Sequence, residues 1–282
     1  MATQRDEHGG SGDGQPEIER RLELLWGVAA RPRRGPRPRM SLEAVVAAAV
    51  GLADAEGLGA VSMQRVAAEL GYTTMSLYRY VQGKEQLVEL MADTAVGEPP
   101  ERGGAADWRA RLEALTRAMV DGYRARPWLL RVEISGPPRA PNQLAWFEAY
   151  LEALSVSGLS GAERISVVMF VDGAVRELAR IAVQIEDSRR GGGVGAAAAG
   201  AAYAAALRRF AAPERYPNVA ALVAEGLFDP APPAQGGAAA DEEAAGEGGP
   251  ADDVGTDIVF GLRRMLDGVE SYARERAQAG GA

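Results

Sequence analysis

Three features of the sequence predict an all-α fold, a small N-terminal helical bundle followed by a larger helical domain. Apolar residues recur at three- and four-residue spacings through most of the 282 residues, and no stretch alternates long enough to make a strand. Capping residues and glycines punctuate the segment 41–97 into short helices. Runs rich in Pro and Gly at 98–104 and 229–253 then divide the remainder.

Residues 1–16 are polar and Gly-rich and are expected to be disordered. Ile18, Leu22, Leu25 and Trp26 fall at helical spacing in a short amphipathic stretch. RPRRGPRPR, from Arg31 to Arg39, has prolines that remove backbone donors and fix φ, so an extended basic arm completes an N-terminal extension, 1–40. Ser41 is suited to cap a helix from Leu42 to Glu56, stopped by Gly57. Ser62 caps a second helix through Leu70, ended by Gly71; a third runs from Thr73 to Tyr80, and Gly83 introduces a fourth, Lys84 to Val96. Beyond the boundary at 98–104, the domain 105–282 is predicted to hold helices over 108–126, 142–157, 162–188 and, more weakly, 196–212. The segment 229–253 gathers acids without one base and is expected to be a mobile loop. A last helix, 256–277, sets Ile258, Leu262, Met265, Val269 and Tyr272 four and three apart, a seam for a partner helix.

Composition removes most enzyme classes. Cysteine is absent and the single histidine, His8, lies in the polar leader, so thiol chemistry, Cys/His metal sites and His-based triads are excluded and no cofactor is expected. The only candidate paired carboxylates are Asp172 and Glu177, without a phosphate loop or nucleophile motif beside them. No apolar run approaches the ~20 residues that span a bilayer, and MATQRDEHGG carries charge where a secretion signal is apolar, so no membrane partner and a cytoplasmic location are expected. The formal charge of −8 is uneven: bases cluster between Arg31 and Lys84, the only lysine, while the acids lie elsewhere.

The run from Met63 to Val81, MQRVAAELGYTTMSLYRYV, meets the needs of a helix-turn-helix. Val66, Leu70, Tyr72 and Leu77 would form its small core, Ala67 would let the helices approach, and Gly71 would take the positive-φ turn. Thr73, Thr74, Met75, Ser76 and Arg79 would remain on the outer face, with side chains that donate to bases or phosphates or touch thymine methyls.

Residues 71–87, GYTTMSLYRYVQGKEQL, resemble the helix-turn-helix signature of the TetR family, and the likeness extends over 41 to about 95. It implies a homodimeric transcriptional repressor on double-stranded DNA with a palindromic operator. By position, it implies phosphate contacts for Ser62, Tyr78, Tyr80 and Lys84, and base contacts for Gln64, Thr74, Met75 and Arg79. Tyr72 is bulkier than the family's usual residue there, and Gly83 weakens the fourth helix's cap. Lys84 is either a phosphate contact at a helix N-terminus or a solvated lysine. The arm either follows DNA or serves as a linker.

The helical remainder, including RPWLL at 126–130, more loosely resembles the C-terminal domain of tetracycline-repressor-type members, which implies dimerisation and an effector pocket. Met119, Tyr123, Trp128, Trp146, Phe147, Tyr150, Met169 and Phe170 could line a pocket for a small apolar or aromatic ligand, oriented by Asp172 or Arg176. Taken singly they also fit an ordinary core, and Asp172 and Arg176 also fit an i, i+4 pair. Helix 162–188 and the last helix would make a four-helix bundle across the dimer axis, unless their apolar faces pack within one subunit. The rival to a ligand-released repressor is an architectural or interaction DNA-binding protein without an effector.

Overall fold

The computed structural model describes residues 14–27, 40–101, 107–133, 136–191, 196–229 and 254–280. Among the described residues the regular structure is helical, with no strand. The helices are α1 (Gly14–Leu25), α2 (Leu42–Glu56), α3 (Met63–Glu69), α4 (Thr74–Leu77), α5 (Lys84–Val96), α6 (Trp108–Ala125), α7 (Pro141–Ala153), α8 (Gly161–Gly191), α9 (Ala196–Phe210), α10 (Pro217–Ala224) and α11 (Val254–Gly280). Tight 3-10 turns occupy Leu58–Ala60, Pro127–Arg131 and Leu154–Val156. The calls on the leader 1–13, the arm from Arg31 to Arg39 and the segment 230–253 lie outside the described residues.

Local chemistry sets most helix ends. Ser41 Oγ accepts the Ala44 N–H at 3.2 Å, and Gly57, at φ 82°, turns the chain out of α2. Ser62 Oγ accepts the Arg65 N–H at 3.2 Å to open α3. Gly83 offers no side chain to cap α5, but buried Gln86 reaches back and accepts the Gln82 N–H at 2.7 Å, replacing the missing cap. Helix α7 ends at Ala153, earlier than expected, because the chain tightens into a 3-10 turn closed by Ser157 Oγ on the Leu154 carbonyl. Helix α10 went unread in the sequence, although Pro217 at its first position is a start signal.

The chain forms two compact units, Met1–Gly104 with Ala125–Ala153, and Ala105–Arg124 with Leu154–Ala282. A single cut at 98–104 does not reproduce them, because 125–153 joins the first unit. The ties are specific: Trp128 Nε1 donates to Asp54 at 2.7 Å, Arg126 donates to the Ala95 carbonyl at 3.1 Å, and Trp146 Nε1 to the Gly97 carbonyl at 3.0 Å. The core of this unit is built by Val45, Val46 and Ala49 of α2, Val66 of α3, Leu77 of α4, and Leu87 and Met91 of α5, all buried. Each such Val or Leu contributes about 1.5–3 kcal/mol by leaving water.

In the second unit, α6 buries Leu112, Leu115 and Val120, and α8 buries Val168, Val171, Val175 and Ala179, which recur at helical spacing along one side. Helix α11 adds Leu262 and Leu266. Polar ties fasten it: Arg109 pairs with Asp267 at 2.5 Å and Glu270 at 2.8 Å, and Arg263 with Glu113 at 3.1 Å.

Candidate nucleic-acid interface

Helices α3 and α4 meet across Gly71, whose φ of 73° is a backbone state that side-chain-bearing residues rarely adopt. Val66, Ala67 and Leu77 close the contact, as the sequence pattern required. Tyr72 departs from expectation: it is exposed rather than part of this small core, its ring being too large for the space that Val66 and Leu77 close. Leu70 is half-buried.

Helix α4 is one turn, Thr74–Leu77, continued by a turn through Tyr80, and so is shorter than expected. Leu77 is its only buried side chain. Met75 is therefore 75 % exposed, with Thr73, Tyr78 and Arg79 also exposed and Thr74 and Ser76 half-buried. The hydroxyls of Thr73 and Ser76 lie 3.1 Å apart. From the neighbouring elements, exposed Gln64 lies on α3, half-buried Ser62 caps it, and exposed Lys84 begins α5. Among the described residues, neither Arg79 nor Lys84 has a carboxylate in ion-pair reach. Arg65 does: it grips both oxygens of Glu56, at 2.6 and 2.8 Å, and holds that carboxyl below the usual range. Tyr80 differs from its neighbours, since its hydroxyl donates to the Met40 carbonyl at 2.9 Å within the head.

The residues expected to line one pocket are divided between the units. Trp128, Trp146 and Tyr150 are buried and Phe147 half-buried in the first unit, where the two indole N–H groups serve the structural bonds to Asp54 and Gly97. In the second unit, Tyr123 and Met119 are buried on α6, and Arg176 of α8 lies 5.9 Å from the centre of the Tyr123 ring. Burial raises the Tyr123 hydroxyl above its ordinary range, with the charge of Asp172 adding to the effect. Loss of hydration likewise raises half-buried Asp172, against the opposing pull of Arg176. Sequence reasoning missed Thr116, which is fully buried on the same α6 face with no partner for its hydroxyl; a hydroxyl inside the stripe Leu112, Leu115, Met119, Val120 was the available signal.

Two pocket calls are corrected. Met169 and Phe170 are 68 % and 65 % exposed, because the inward side of α8 is taken by Val168, Val171 and Val175. Glu177 is exposed and paired with Arg180 at 2.5 Å, so it forms no carboxylate pair with Asp172. The dimer seam is also corrected at Leu262, which is 7 % exposed and belongs to its own chain's core with Leu266. Met265 and Val269 are half-buried, Tyr272 is exposed with its hydroxyl on Glu163 at 2.6 Å, and the side chain of Ile258 lies outside the described residues. An open groove of about 390 Å³ lies between α9 and α10, lined by Leu207, Ala211, Ala220 and Val223, and includes none of the expected pocket residues. Among the described residues no helix is long and apolar enough to cross a membrane.

Comparison with known proteins agrees with this geometry. Residues 45–91 match the family described as bacterial regulatory proteins, tetR family, and 99–228 match the tetracyclin repressor-like C-terminal domain. The HTH-type transcriptional repressor DrrR1 of Streptomyces coeruleorubidus is 40% identical over 272 residues, 96% of this chain and 90% of the relative. An HTH-type transcriptional regulator of Saccharopolyspora erythraea is 32% identical over 142 residues, 47% of this chain and 58% of that protein. Among solved structures, apo ActR of Streptomyces coelicolor superimposes with a TM-score of 0.63 at 22% identity, covering 86% of this chain and 100% of ActR. ActR in complex with actinorhodin gives 0.62 at 23% identity, covering 85% and 99%. An exposed recognition turn on a three-helix head, a helical second unit and a relative of this identity over nearly the full length lead to one assignment: the chain belongs to the TetR family of helix-turn-helix transcriptional regulators.

Proposed function

We propose that this regulator is a homodimeric repressor that grips a palindromic operator with one α4 per half-site and is released by a small apolar or aromatic molecule in its second unit. The observation that carries the DNA-binding half is α4 itself, a turn with only Leu77 buried and its polar face uncommitted. Gln64, Thr74, Met75 and Arg79 read base edges, while Ser62, Thr73, Ser76, Tyr78 and Lys84 hold the backbone. Tyr80 supports α4 through Met40 rather than through phosphate.

Dimerisation is assigned to the outer faces of α8 and α11. Met169, Phe170, Phe260 and Tyr272 are all exposed there, an apolar concentration that a monomer seldom leaves in water. Met265 and Val269 flank that face, and Ile258 continues it by sequence position. The effector site is assigned to the α6–α8 interior, where Thr116, Tyr123, Asp172 and Arg176 place polar groups among aliphatic side chains. The repressor role draws on DrrR1, and the ligand role on ActR, which has been solved with actinorhodin and with (S)-DNPA.

Selection from random duplex DNA, followed by footprinting, tests the proposal. The expected product is a two-fold symmetric site protected by two subunits, and a panel of planar aromatic compounds should contain members that lower its occupancy. An asymmetric site held by one subunit would overturn the dimer, and a symmetric site indifferent to every compound would favour the architectural alternative.

A further inference from the structure

Helix α5 has two jobs on two faces. One face carries Leu87 and Met91 into the core of the head. The other presents Glu89, Asp93 and Gly97 at i, i+4 and i+8, and the segment 139–146 meets each in turn. Glu89, its side chain 12% exposed, takes Arg139 at 3.3 Å and also Arg21 of α1 at 2.5 Å. One turn on, buried Asp93 accepts the Asn142 N–H at 3.4 Å, the Asn142 side-chain amide at 3.2 Å and the Gln143 N–H at 3.0 Å, so it caps α7. A further turn on, the Gly97 carbonyl takes the Trp146 indole at 3.0 Å. Helix α1 seals the first rung: Leu25 is buried, and Trp26 Nε1 donates to the Arg139 carbonyl at 3.0 Å.

Well-packed apolar side chains could hold these helices together as firmly, but they would not fix one register. Directional, charge-assisted bonds at a four-residue repeat do that, since a slip of one residue leaves buried carboxylates unpaired. The head's core and the latch share one rigid helix, so the direction in which α4 points from α7 is set by these bonds. We propose that Glu89 and Asp93, with Arg21 of α1, are positioning residues that set the half-site spacing the regulator accepts. The half-site geometry at issue is that of the dimer proposed above, on which the inference rests.

The test uses full-length protein and duplexes selected from a random pool by the wild type, then remade with one base pair inserted or removed between half-sites, and with one half-site scrambled. The wild type is expected to favour its native spacing by about tenfold or more. Arg21→Ala, Glu89→Gln and Asp93→Asn should each lower that preference severalfold while leaving affinity for the scrambled, single-half-site duplex unchanged. Arg21 is partly exposed on a terminal helix, so its replacement leaves a folded protein even if a carboxylate variant melts early. Spacing preference equal to wild type in Arg21→Ala and in every folded carboxylate variant would overturn the latch, as would parallel loss on all duplexes, which would mean damage to the head. A wild type indifferent to spacing would sink the dimer proposal, and the latch with it.

Discussion

Arg79 and Met75 stand on α4 with nothing of their own chain against them, and both were visible as outer-face positions once Val66, Gly71 and Leu77 had fixed which side turned inward. Arg79→Ala is expected to cost about 1–3 kcal/mol on the operator and to relax preference at one base position. Fluorescence anisotropy on the operator and on random duplex checks it: equal loss on both would make Arg79 a phosphate contact. Tyr80 shows the limit of assigning a role by position. Its place in the motif suggested phosphate, whereas its hydroxyl is engaged by Met40, a partner 40 positions away that no local pattern names. Gln86 is similar, because a glutamine at the third helical position was legible as half a capping box but was not recognised beside Gly83.

At the scale of elements, α8 begins with a reciprocal cap: the Ser160 N–H donates to Glu163 at 2.7 Å and the Glu163 N–H to Ser160 Oγ at 3.4 Å. Glu163 also takes the Tyr272 hydroxyl and pairs with Arg276 at 2.5 Å, joining the start of α8 to α11. Bonds from Ser160 and Tyr272, with Arg276 beside them, hold its carboxyl at about 2. A carboxyl depressed in the folded state stabilises above its unfolded value, about 4.3, and that contribution fades as pH falls toward 2. Glu163→Gln should therefore melt below the wild type at pH 7, with the gap closing between about pH 5 and pH 2. A gap independent of pH would mean that shape rather than charge holds the junction.

At the scale of the whole molecule, what matters is which apolar faces one chain covers by itself. Leu262 is covered and Met169 and Phe170 are not, which reverses the assignment their spacing suggested. Replacing Met169 and Phe170 together with Asp is expected to cost the dimer several kcal/mol, about the price of carboxylates in an apolar interface. The product should be a helical monomer that has lost operator binding, because two heads at a set spacing supply the affinity. Leu262→Asp should instead lower the melting temperature of the chain itself. Sedimentation and circular dichroism on both variants check this, and a persistent dimer in the first would move the interface elsewhere.

The sequence by itself determined the helical class, the ends of α2 and α3, the turn at Gly71 and the outward face of α4. Those features depend on φ, caps and 3.6-residue spacing, which act within a few residues. Tertiary structure decided the rest. Trp128, Trp146 and Tyr150 looked like companions of Tyr123, yet they belong to the other compact unit, because Asp54, Asp93 and Gly97 draw 125–153 to the head. Met169 and Leu262 each lie on a helix with apolar residues on more than one side. Only the packing of α6, α8 and α11 selects the side that turns inward, because periodicity gives a helix its faces but not its neighbours.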